Sequence, residues 1–309
     1  MSNTFLGIEI GGTKIQVFRT DGLLKVKDRH KFYVGEKKEA AYIRDNLRDL
    51  VSTIIQKENV KAIGVGYGGP VNYQTGEVIT SYQVRGWTGY PLARWLHDLA
   101  AVPVVVENDA NTAAFGEALH GAGRGYSRVL YITMGSGIGG GYVIDGSIYH
   151  GNKPGEVEIG HIRMDRKGTI LEKRCAGWAV DKKVRNYVKR NPESILAGLV
   201  GNSKQGEARF LMQAIKNRDT EAEKILHETA DDFAFGLSHA IHILNPEVII
   251  LGGGLSLLGN LLVKAVKEKL PGYLMSALNT PDIGIAELKE DAVCIGAALL
   301  AINHFKNYN

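Results

Sequence analysis

Residues 5–18 read Phe-Leu-Gly-Ile-Glu-Ile-Gly-Gly-Thr-Lys-Ile-Gln-Val-Phe, two apolar runs joined by Gly11-Gly12-Thr13-Lys14. Two such runs around a short glycine turn predict a β-hairpin. Glycine in the turn lets backbone N–H groups converge on phosphate oxygens, and Thr13 and Lys14 add a hydroxyl and a charge. Hairpin turns also use glycine for purely conformational reasons, so this motif alone leaves both interpretations open.

The same design returns in the second half of the chain. After the glycine-rich segment 121–125, residues 128–133 predict a strand, 135–141 a loop and 142–144 a returning strand. Amphipathic helices, such as those predicted over 40–57 and 221–244, follow in each half. We expect an α/β protein with a ligand cleft between two domains. The boundaries expected are 1–120 plus 295–309 for a small N-terminal domain, and 121–294 for a large C-terminal domain.

Composition narrows the class of protein. The 309 residues are 44% hydrophobic and 23% charged, as in an ordinary globular protein. The net charge of +4 comes from scattered Lys and Arg, which argues against nucleic acid as a partner. Two cysteines, Cys175 and Cys294, cannot build a disulfide framework, so we expect a reducing cytoplasm. The N-terminus enters a strand at once, leaving no room for a signal peptide, and no apolar stretch approaches the ~20 residues of a membrane span.

Residues 102–106 form an apolar, β-branched run that ends in Glu107-Asn108-Asp109. An extended run with this ending places an amide and a carboxylate at the tip of a buried strand, just before a predicted helix. These two groups suit a polyhydroxylated substrate, with Asp109 taking a proton from one hydroxyl. Alternatively, Asp109 is simply the N-cap of the helix.

Two further glycine clusters predict ligand contact. Thr133-Met-Gly-Ser-Gly-Ile-Gly-Gly-Gly141 is neither a Walker loop nor a dinucleotide fingerprint, and it would form a second phosphate cradle; the alternative is a flexible hairpin. Leu251-Gly-Gly-Gly254, between strand and helix, would let a purine or its ribose lie against bare backbone, although strand-to-helix turns also use glycine. A carboxylate base with phosphate cradles indicates a kinase that acts on an alcohol.

The segment Gly155-Glu-Val-Glu-Ile-Gly-His161 supplies two carboxylates and an imidazole. Such groups orient sugar hydroxyls. His161 could instead be a metal ligand, but a single His is more often a hydrogen-bonding structural residue.

Together these motifs resemble the ROK family of sugar kinases, in the superfamily of actin and the heat-shock ATPases. The resemblance covers nearly the whole chain through Ile10-Gly-Gly-Thr-Lys14, Gly66-Tyr-Gly-Gly-Pro-Val71, Glu107-Asn-Asp-Ala-Asn111, Met134-Gly-Ser-Gly-Ile-Gly-Gly140, Glu158-Ile-Gly-His161 and Asn245-Pro-Glu-Val-Ile-Ile-Leu-Gly-Gly-Gly254. It implies two ribonuclease-H-like, actin-like ATPase domains with the ligand cleft between them.

The resemblance also implies a role for each matching residue. Asp109 would be the general base on the sugar hydroxymethyl group. The other sugar contacts would be Gly69, Asn108, Glu158 and His161. The ATP contacts would be Gly11, Gly12, Thr13, Lys14, Thr133 and Gly135 at the phosphates, and Gly253 and Gly254 at the adenosine.

The sequence departs from the family pattern in two places. The family usually has Asp at the position of Glu9, and this position organises magnesium. The resemblance therefore implies Mg-ATP as the cofactor. Because Glu has a longer side chain than Asp, the metal can lie in a different place from that in other members. The zinc-binding loop that many members carry is deleted between 166 and 177, and one cysteine cannot make a structural zinc site, so we expect no zinc. Aligning Ala176-Gly177 with the family's Ser-Gly gives Glu172 a sugar-contacting role.

The resemblance predicts an ATP-dependent, glucokinase-like enzyme acting on the 6-hydroxyl of a hexose, and a homodimer. Another hexose or an N-acetylhexosamine as substrate remains an alternative, as does a non-catalytic sugar sensor. The family's sugar-responsive repressors carry an N-terminal helix-turn-helix domain, whereas this chain opens on the phosphate hairpin, which argues against DNA binding.

Overall fold

Two five-stranded β-sheets and a two-stranded ribbon organise residues 3–152 and 157–308, which are the residues that the computed structural model describes. By its internal contacts the chain divides into two units. Unit 1 comprises Met1–Gly121, Gly141–Glu156 and Glu290–Asn309, and unit 2 comprises Ala122–Gly140 and Val157–Lys289. The boundaries expected from the sequence differ from this division at residues 121, 141–156 and 290–294, all of which belong to unit 1.

Groups of one to three strands are separated by single α-helices, except between residues 148 and 248, where several α-helices follow one another. The strands are β1 (Thr4–Ile10), β2 (Lys14–Asp21), β3 (Val26–Tyr33), β4 (Val60–Tyr67), β5 (Val71–Asn72), β6 (Glu77–Val78), β7 (Val104–Asn108), β8 (Arg128–Met134), β9 (Ile138–Ile144), β10 (Ser147–Ile148), β11 (Val248–Gly252) and β12 (Asp282–Ile285). The α-helices are α1 (Ala40–Lys57), α2 (Leu92–Ala100), α3 (Asp109–His120), α4 (Glu172–Cys175), α5 (Gly177–Arg190), α6 (Ile195–Val200), α7 (Leu211–Lys216), α8 (Thr220–Leu244), α9 (Asn260–Lys269) and α10 (Ala292–Tyr308).

The first sheet has the order β3-β2-β1-β4-β7. β1 and β2 form the hairpin that the sequence predicts, β3 adds an antiparallel edge, and β4 and β7 run parallel to β1. The sequence did not predict β3, because most of its side chains are polar and lie at least partly exposed on an edge strand. Parallel strands place their carboxyl ends at one edge of the sheet, and that edge carries the unit 1 part of the site described below.

Helices cover both faces of this sheet. α1 buries Ile43, Leu47, Val51 and Ile54, which recur at the three- and four-residue spacing of one helical face. The C-terminal helix α10 packs on β1 and β4 and against α3. Its buried side chains are mostly small, with Ala297, Ala298 and Ala301 fully enclosed, so its backbone approaches its neighbours closely.

The second sheet has the order β10-β9-β8-β11-β12, with β11 parallel to both β8 and β12. Beside it in unit 2, α8 is the long helix expected from the sequence. Asp219 caps it by accepting hydrogen bonds from the backbone N–H groups of Glu221 and Ala222, and it ends at Asn245, which is left-handed with φ 44° and precedes Pro246. None of the helices within residues 3–152 and 157–308 has the length and apolar character needed to cross a membrane.

Candidate functional site

In unit 1, three parallel strands end side by side. Ile10 at the end of β1 pairs with Tyr67 at the end of β4, and Tyr67 pairs with Asn108 at the end of β7. The turns that follow the strands are in contact. A side-chain carbon built on Gly68 would lie 3.4 Å from Asp109 Oδ2 and 3.5 Å from Gly11 Cα. The structure therefore brings the first glycine turn, the Gly68-Gly69 turn and Asp109 together, although they are distant in sequence.

Asn108 holds the junction between β7 and α3. Its Oδ1 accepts hydrogen bonds from the N–H groups of Ala110 at 2.8 Å and Asn111 at 3.2 Å, and its Nδ2 donates to the Gly69 carbonyl at 3.2 Å. Asn108 is thus the N-cap of α3, and Asp109 is the first helical residue. The capping role considered for Asp109 was wrong, because the amide one position earlier satisfies the free N–H groups at the helix start.

Burial and charge raise the pKa of the Asp109 carboxyl from 3.8 to about 7. Loss of hydration is the larger cause and the negative charge of Glu9 the second, while the backbone N–H of Ala110 acts in the opposite direction. A carboxylate with a pKa near neutrality is a stronger base than an ordinary one and is still ionised in a large fraction of molecules at pH 7. That balance is what a general base requires.

Glu9 lies on β1, and two neighbouring side chains bind one oxygen of its carboxylate. Its Oε2 accepts a hydrogen bond from Gln16 Nε2 at 2.6 Å and lies 3.3 Å from Lys14 Nζ. Lys14 also reaches Glu290, with 3.8 Å between Nζ and Oε2, so carboxylates on two elements surround this ammonium group. Lys14 and Glu9, proposed from the sequence for ATP and metal, therefore form one electrostatic cluster.

The carboxylates of unit 1 can be compared with the ligands that a magnesium ion requires. Residues 3–152 and 157–308 contain no group of three or more His, Cys, Asp or Glu side chains placed to hold a metal ion. Mg²⁺ does not need such a cage, since it keeps several waters and binds through one or two carboxylates plus substrate phosphates. Glu9 and Asp109, close enough for one charge to raise the other's pKa, fit that requirement.

The first glycine turn is closed by a hydrogen bond from Gly11 N to Lys14 O at 3.1 Å. Thr13 at its tip is exposed, and its carbonyl accepts from Val34 N at 2.9 Å. Gly12 packs against Gln83, whose side-chain oxygen would overlap any side chain at position 12. The turn is thus a tightly packed backbone feature whose tip faces solvent.

The second glycine cluster forms a shorter loop than the sequence predicts. The prediction of a loop over 135–141 was wrong, because β9 begins at Ile138. The later glycines let other segments pack closely on the strand, at Gly140 in unit 2 and at Gly141 in unit 1. A side-chain carbon on Gly140 would lie 3.1 Å from Val157 O, and one on Gly141 would lie 2.7 Å from Ala114 Cβ. The loop proper is therefore residues 135–137, in which Gly135 N donates to Gly137 O at 2.9 Å.

Glu172, the first residue of α4, contacts the end of this loop. Its Oε2 accepts from Ile138 N at 2.9 Å, at the point where the loop becomes β9. The 3-10 helix Ile159–His161 also packs here, because the Ile138 carbonyl leaves no room for a side chain on Gly160. Glu172 and the segment with Glu158 and His161 thus converge on the start of β9.

Glu158 and His161 form a loose, solvent-exposed pair. Glu158 Oε2 and His161 Nε2 are 4.0 Å apart, and both side chains are more than half exposed. Such a pair contributes little to folding stability, so both groups remain accessible to a ligand. Gly155 and Glu156, which the sequence places in the same segment, lie outside the described residues.

The third glycine cluster ends β11. Gly252 pairs with Thr133 on β8, so these two parallel strands finish together. Gly253 has φ +79° and ψ 179°, a conformation essentially restricted to glycine, and a side-chain carbon there would lie 2.6–2.7 Å from the backbone of Met134. The Gly253–Met134 contact fixes Gly254 beside the loop 135–137.

A cavity of about 790 Å³ opens at this place in unit 2. Gly135, Gly254 and the N-terminal residue Gly177 of α5 contribute backbone to its wall, and Gly177 N donates to the Gly135 carbonyl at 2.8 Å. The wall also contains an apolar part and cationic side chains that the sequence analysis missed; these are Trp178, Arg185, Arg209, Leu255, Leu257 and Leu258. Trp178 directly follows Gly177 and is 43% exposed, so its ring is accessible to a ligand, although no local pattern in the sequence marks it.

Comparison with known proteins supplies the family. The model of the ROK family matches residues 5–304. The chain is 31% identical over 307 residues to a glucokinase of Thermotoga maritima, covering 95% of each chain. It is 29% identical over 316 residues to an N-acetyl-D-glucosamine kinase of Histophilus somni, covering 97% of this chain and 99% of the relative.

A solved structure is similar over the same length. The crystal structure of a ROK family glucokinase from Streptomyces griseus, in complex with glucose and AMPPNP, aligns with a TM-score of 0.83 and 29% identity, covering 97% of this chain and 99% of that one. Sequence and fold therefore agree along almost the entire length, and the protein belongs to the ROK family.

Proposed function

We propose that this protein is an ATP-dependent sugar kinase that phosphorylates the 6-hydroxyl of a hexose. The observation that carries the proposal is the Asp109 carboxyl, whose pKa is raised to about 7 beside the glycine turns of unit 1. The similarity to a glucokinase and to an N-acetyl-D-glucosamine kinase supports a sugar as the phosphoryl acceptor. The AMPPNP of the Streptomyces griseus glucokinase structure supports a nucleotide as the donor.

Sugar recognition would use amide, carboxylate and imidazole groups. Asn108 would bind hydroxyls next to the reacting one, beside the Gly69 backbone to which its amide already donates. The exposed pair Glu158 and His161 offers an acceptor and a ring nitrogen for further hydroxyls. Glu172, assigned by alignment, binds Ile138 N through one oxygen, so a sugar hydroxyl would use the other.

The glycine segments would hold the nucleotide. Gly11, Gly12, Thr13 and Lys14 in unit 1, and Thr133 and Gly135 in unit 2, would meet the phosphates through N–H groups, hydroxyls and one ammonium group. Gly253 and Gly254 would lie against the adenosine. The cavity in unit 2 supports this assignment, because an apolar wall with Trp178 and leucines suits a flat base.

Magnesium would be organised from Glu9, through one carboxylate oxygen or a bound water, and would supply positive charge to the phosphates. Asp109 would accept the proton of the sugar hydroxyl as the phosphoryl group is transferred, and the backbone N–H groups of the glycine turns would stabilise charge on its oxygens. Lys14 would add charge at the phosphates once they displace its carboxylate partners. The protein thus contributes mainly positioning and electrostatics.

The proposal is tested by measuring ADP release with a panel of hexoses and N-acetylhexosamines. We expect one or a few sugars to support turnover, and the best of them to raise the melting temperature most, because a ligand that binds the folded state stabilises it. Glucose is the first candidate, and another hexose or an N-acetylhexosamine the alternative. Sugar-dependent stabilisation without ADP release would identify a sugar sensor instead, and absence of both would contradict the proposal.

The zinc-free state is a separate prediction. Cys175 is buried and its Sγ lies 3.6 Å from the Thr229 carbonyl, so it already has a structural role in unit 2. Burial raises the pKa of this thiol to about 12, which disfavours the thiolate that zinc binds. Elemental analysis of purified protein should find less than stoichiometric zinc. A 1:1 zinc content that resists dialysis against a chelator would contradict this.

Gly253→Ala should raise the KM for ATP by about tenfold or more, with the KM for sugar changing less. The added methyl would lie 2.6–2.7 Å from the Met134 backbone at a φ of +79°, so β11 and the adjoining cavity wall must shift. Gly272→Ala is the matched control, since a carbon there meets nothing within 4 Å. Unchanged ATP kinetics in the Gly253 variant would count against the adenosine site.

We also propose a homodimer in a reducing compartment such as the cytoplasm. Both cysteines are buried and unpaired, which supports the compartment. The dimer rests on the family resemblance and on two-fold symmetry being the commonest arrangement. Light scattering after size-exclusion chromatography distinguishes a 33.6 kDa monomer from a dimer of twice that mass.

A further inference from the structure

We infer that His150 is a positioning residue for the Asn108–Asp109 junction and that it acts through the buried carboxylate of Glu107. The inference rests on the proposed function, in which Asn108 binds the sugar and Asp109 deprotonates it. The hydrogen bond of His150 that carries the inference goes to Glu107 and not to Asn108 or Asp109. Its effect would pass along three linked contacts within unit 1.

The first contact is between Glu107 and the junction. Glu107 is the residue before Asn108 on β7 and is 4% exposed. Its Oε1 accepts hydrogen bonds from the backbone N of Asn108 at 2.8 Å and from Nδ2 of Asn111 at 3.1 Å. The carboxylate therefore bridges the end of the strand and the first turn of α3, and fixes the backbone on both sides of Asp109.

The second contact is between Glu107 and His150. Nε2 of His150 lies 2.5 Å from Oε2 of Glu107, although the two residues are 43 positions apart in the chain. A buried carboxylate needs a hydrogen-bond donor at each oxygen, because an unpaired oxygen without water is costly. His150 supplies such a donor to Oε2 through Nε2.

The third contact fixes the imidazole. The ring of His150 stacks on the ring of Tyr73, with centroids 3.6 Å apart and planes inclined by 11°. Tyr73 directly follows β5 in the same unit. The histidine ring is thus held on its face by an aromatic ring and at its edge by a carboxylate, so its position is defined before any ligand arrives.

Loss of this imidazole would act on the sugar side of the reaction. Without its donor, Oε2 would turn towards water or another N–H group and draw Oε1 away from Asn108 N. Asn108 simultaneously caps α3 and donates to Gly69 O, so its displacement moves both the sugar-binding amide and the helix start that carries Asp109. Displacements of about 1 Å at a reacting group can lower rates by about 100-fold.

The test uses the full chain with His150→Ala, His150→Gln and, as a control, His227→Ala. His227 lies on α8, and its Nε2 is 3.9 Å from Glu223 in an exposed pair. We expect His150→Ala to lower kcat/KM for the sugar by about 10–100-fold, with the KM for ATP within about twofold of wild type. His150→Gln should retain most activity because its amide can donate to Oε2, and His227→Ala should match wild type.

Amide hydrogen exchange of the peptide spanning 107–112 gives a readout that does not depend on turnover. Exchange at Asn108 should rise in His150→Ala and return towards wild type in His150→Gln, without a matching rise in unit 2. The inference is overturned if exchange there is unchanged, if both KM values change equally, or if glutamine fails to rescue. A wild-type protein that phosphorylates no sugar would refute the proposed function alone, since the exchange experiment would still decide the role of His150.

Discussion

Asp109→Asn is expected to lower kcat for hexose phosphorylation by about 10²–10⁴-fold, the usual contribution of a general base, while sugar affinity stays within about threefold of wild type. The amide has nearly the same shape as the carboxylate and keeps α3 intact, because Asn108 is the cap. It cannot accept the hydroxyl proton at neutral pH. Steady-state kinetics and calorimetric titration with the best sugar measure the two quantities.

The same variant should be more stable than wild type above pH 7. The pKa of Asp109 is 3.8 in the unfolded chain and about 7 in the folded protein, so the folded state binds this proton more tightly. Wild-type stability therefore falls as the pH rises from about 4 to 7, and the loss is complete above the folded pKa. The full shift corresponds to roughly 4 kcal/mol, and we expect on the order of 2 kcal/mol because part of the side chain reaches solvent.

Thermal unfolding at pH 5 and pH 8 checks the stability difference. Asp109→Asn should melt well above wild type at pH 8, and the difference should be clearly smaller at pH 5, where the folded carboxyl is protonated and only part of the loss has occurred. Asp98→Asn is the matched control, because Asp98 is exposed on α2 and pairs weakly with Arg94 at 3.6 Å. Near-normal turnover would remove Asp109 from the role of base, and a lower melting temperature at pH 8 would contradict its raised pKa.

The sequence indicated Asp109, the proposed base, because the relevant signal is local. An apolar run of five residues predicts a buried strand, and the residues after it must then lie at the end of a sheet. Whether Asn108 or Asp109 caps α3 was not predictable in this way. Both residue types cap helices well, and the choice depends on the Gly69 carbonyl, which lies in the turn after β4 and accepts a hydrogen bond from the Asn108 amide.

The cavity in unit 2, where the nucleotide is proposed to bind, shows a different limit of prediction from sequence. The glycines were visible, but the cavity wall in unit 2 depends on α5 and the 3-10 helix Gly254–Leu258 meeting around Gly135. Trp178 and Leu255 are ordinary core-type residues in the sequence, and only the tertiary contacts show that they line a cavity. The His150–Glu107 pair was missed for the same reason, since no local pattern links residues 43 positions apart.

Glycine clusters were interpreted from the sequence as places where a backbone approaches a ligand, and this is too broad. In the cluster 64–69, the end of β4 at Tyr67 separates two uses. Gly64 and Gly66 face α10, where side chains on them would meet Ala297 O and Val293, whereas Gly68 lies in the turn beside Asp109. Close packing of helices on a sheet therefore demands glycine as strongly as ligand binding does.

Gly296→Ala is expected to destabilise the protein by about 3 kcal/mol or more, although alanine is the better helix former. α10 crosses α3 at Gly296 and Gly116. A carbon added at Gly296 would overlap the Thr112 carbonyl, and one added at Gly116 would lie 2.7 Å from Ala292 O. Backbone cannot move aside as a flexible side chain can, so the two helices must separate and the packing around them is lost.

Gly198→Ala is the comparison that isolates packing from helix propensity. Gly198 also lies inside a helix, α6, but a carbon there meets nothing within 4 Å, so the substitution should stabilise by about 0.5–1 kcal/mol. Denaturant unfolding of both variants measures the contrast. Because α3 begins with Asp109, the Gly296 variant should also lose turnover at temperatures where it is still folded. Equal stability of the two variants would mean that the close packing of α10 on α3 does not limit stability, and unchanged turnover would mean that it does not position Asp109, the proposed base.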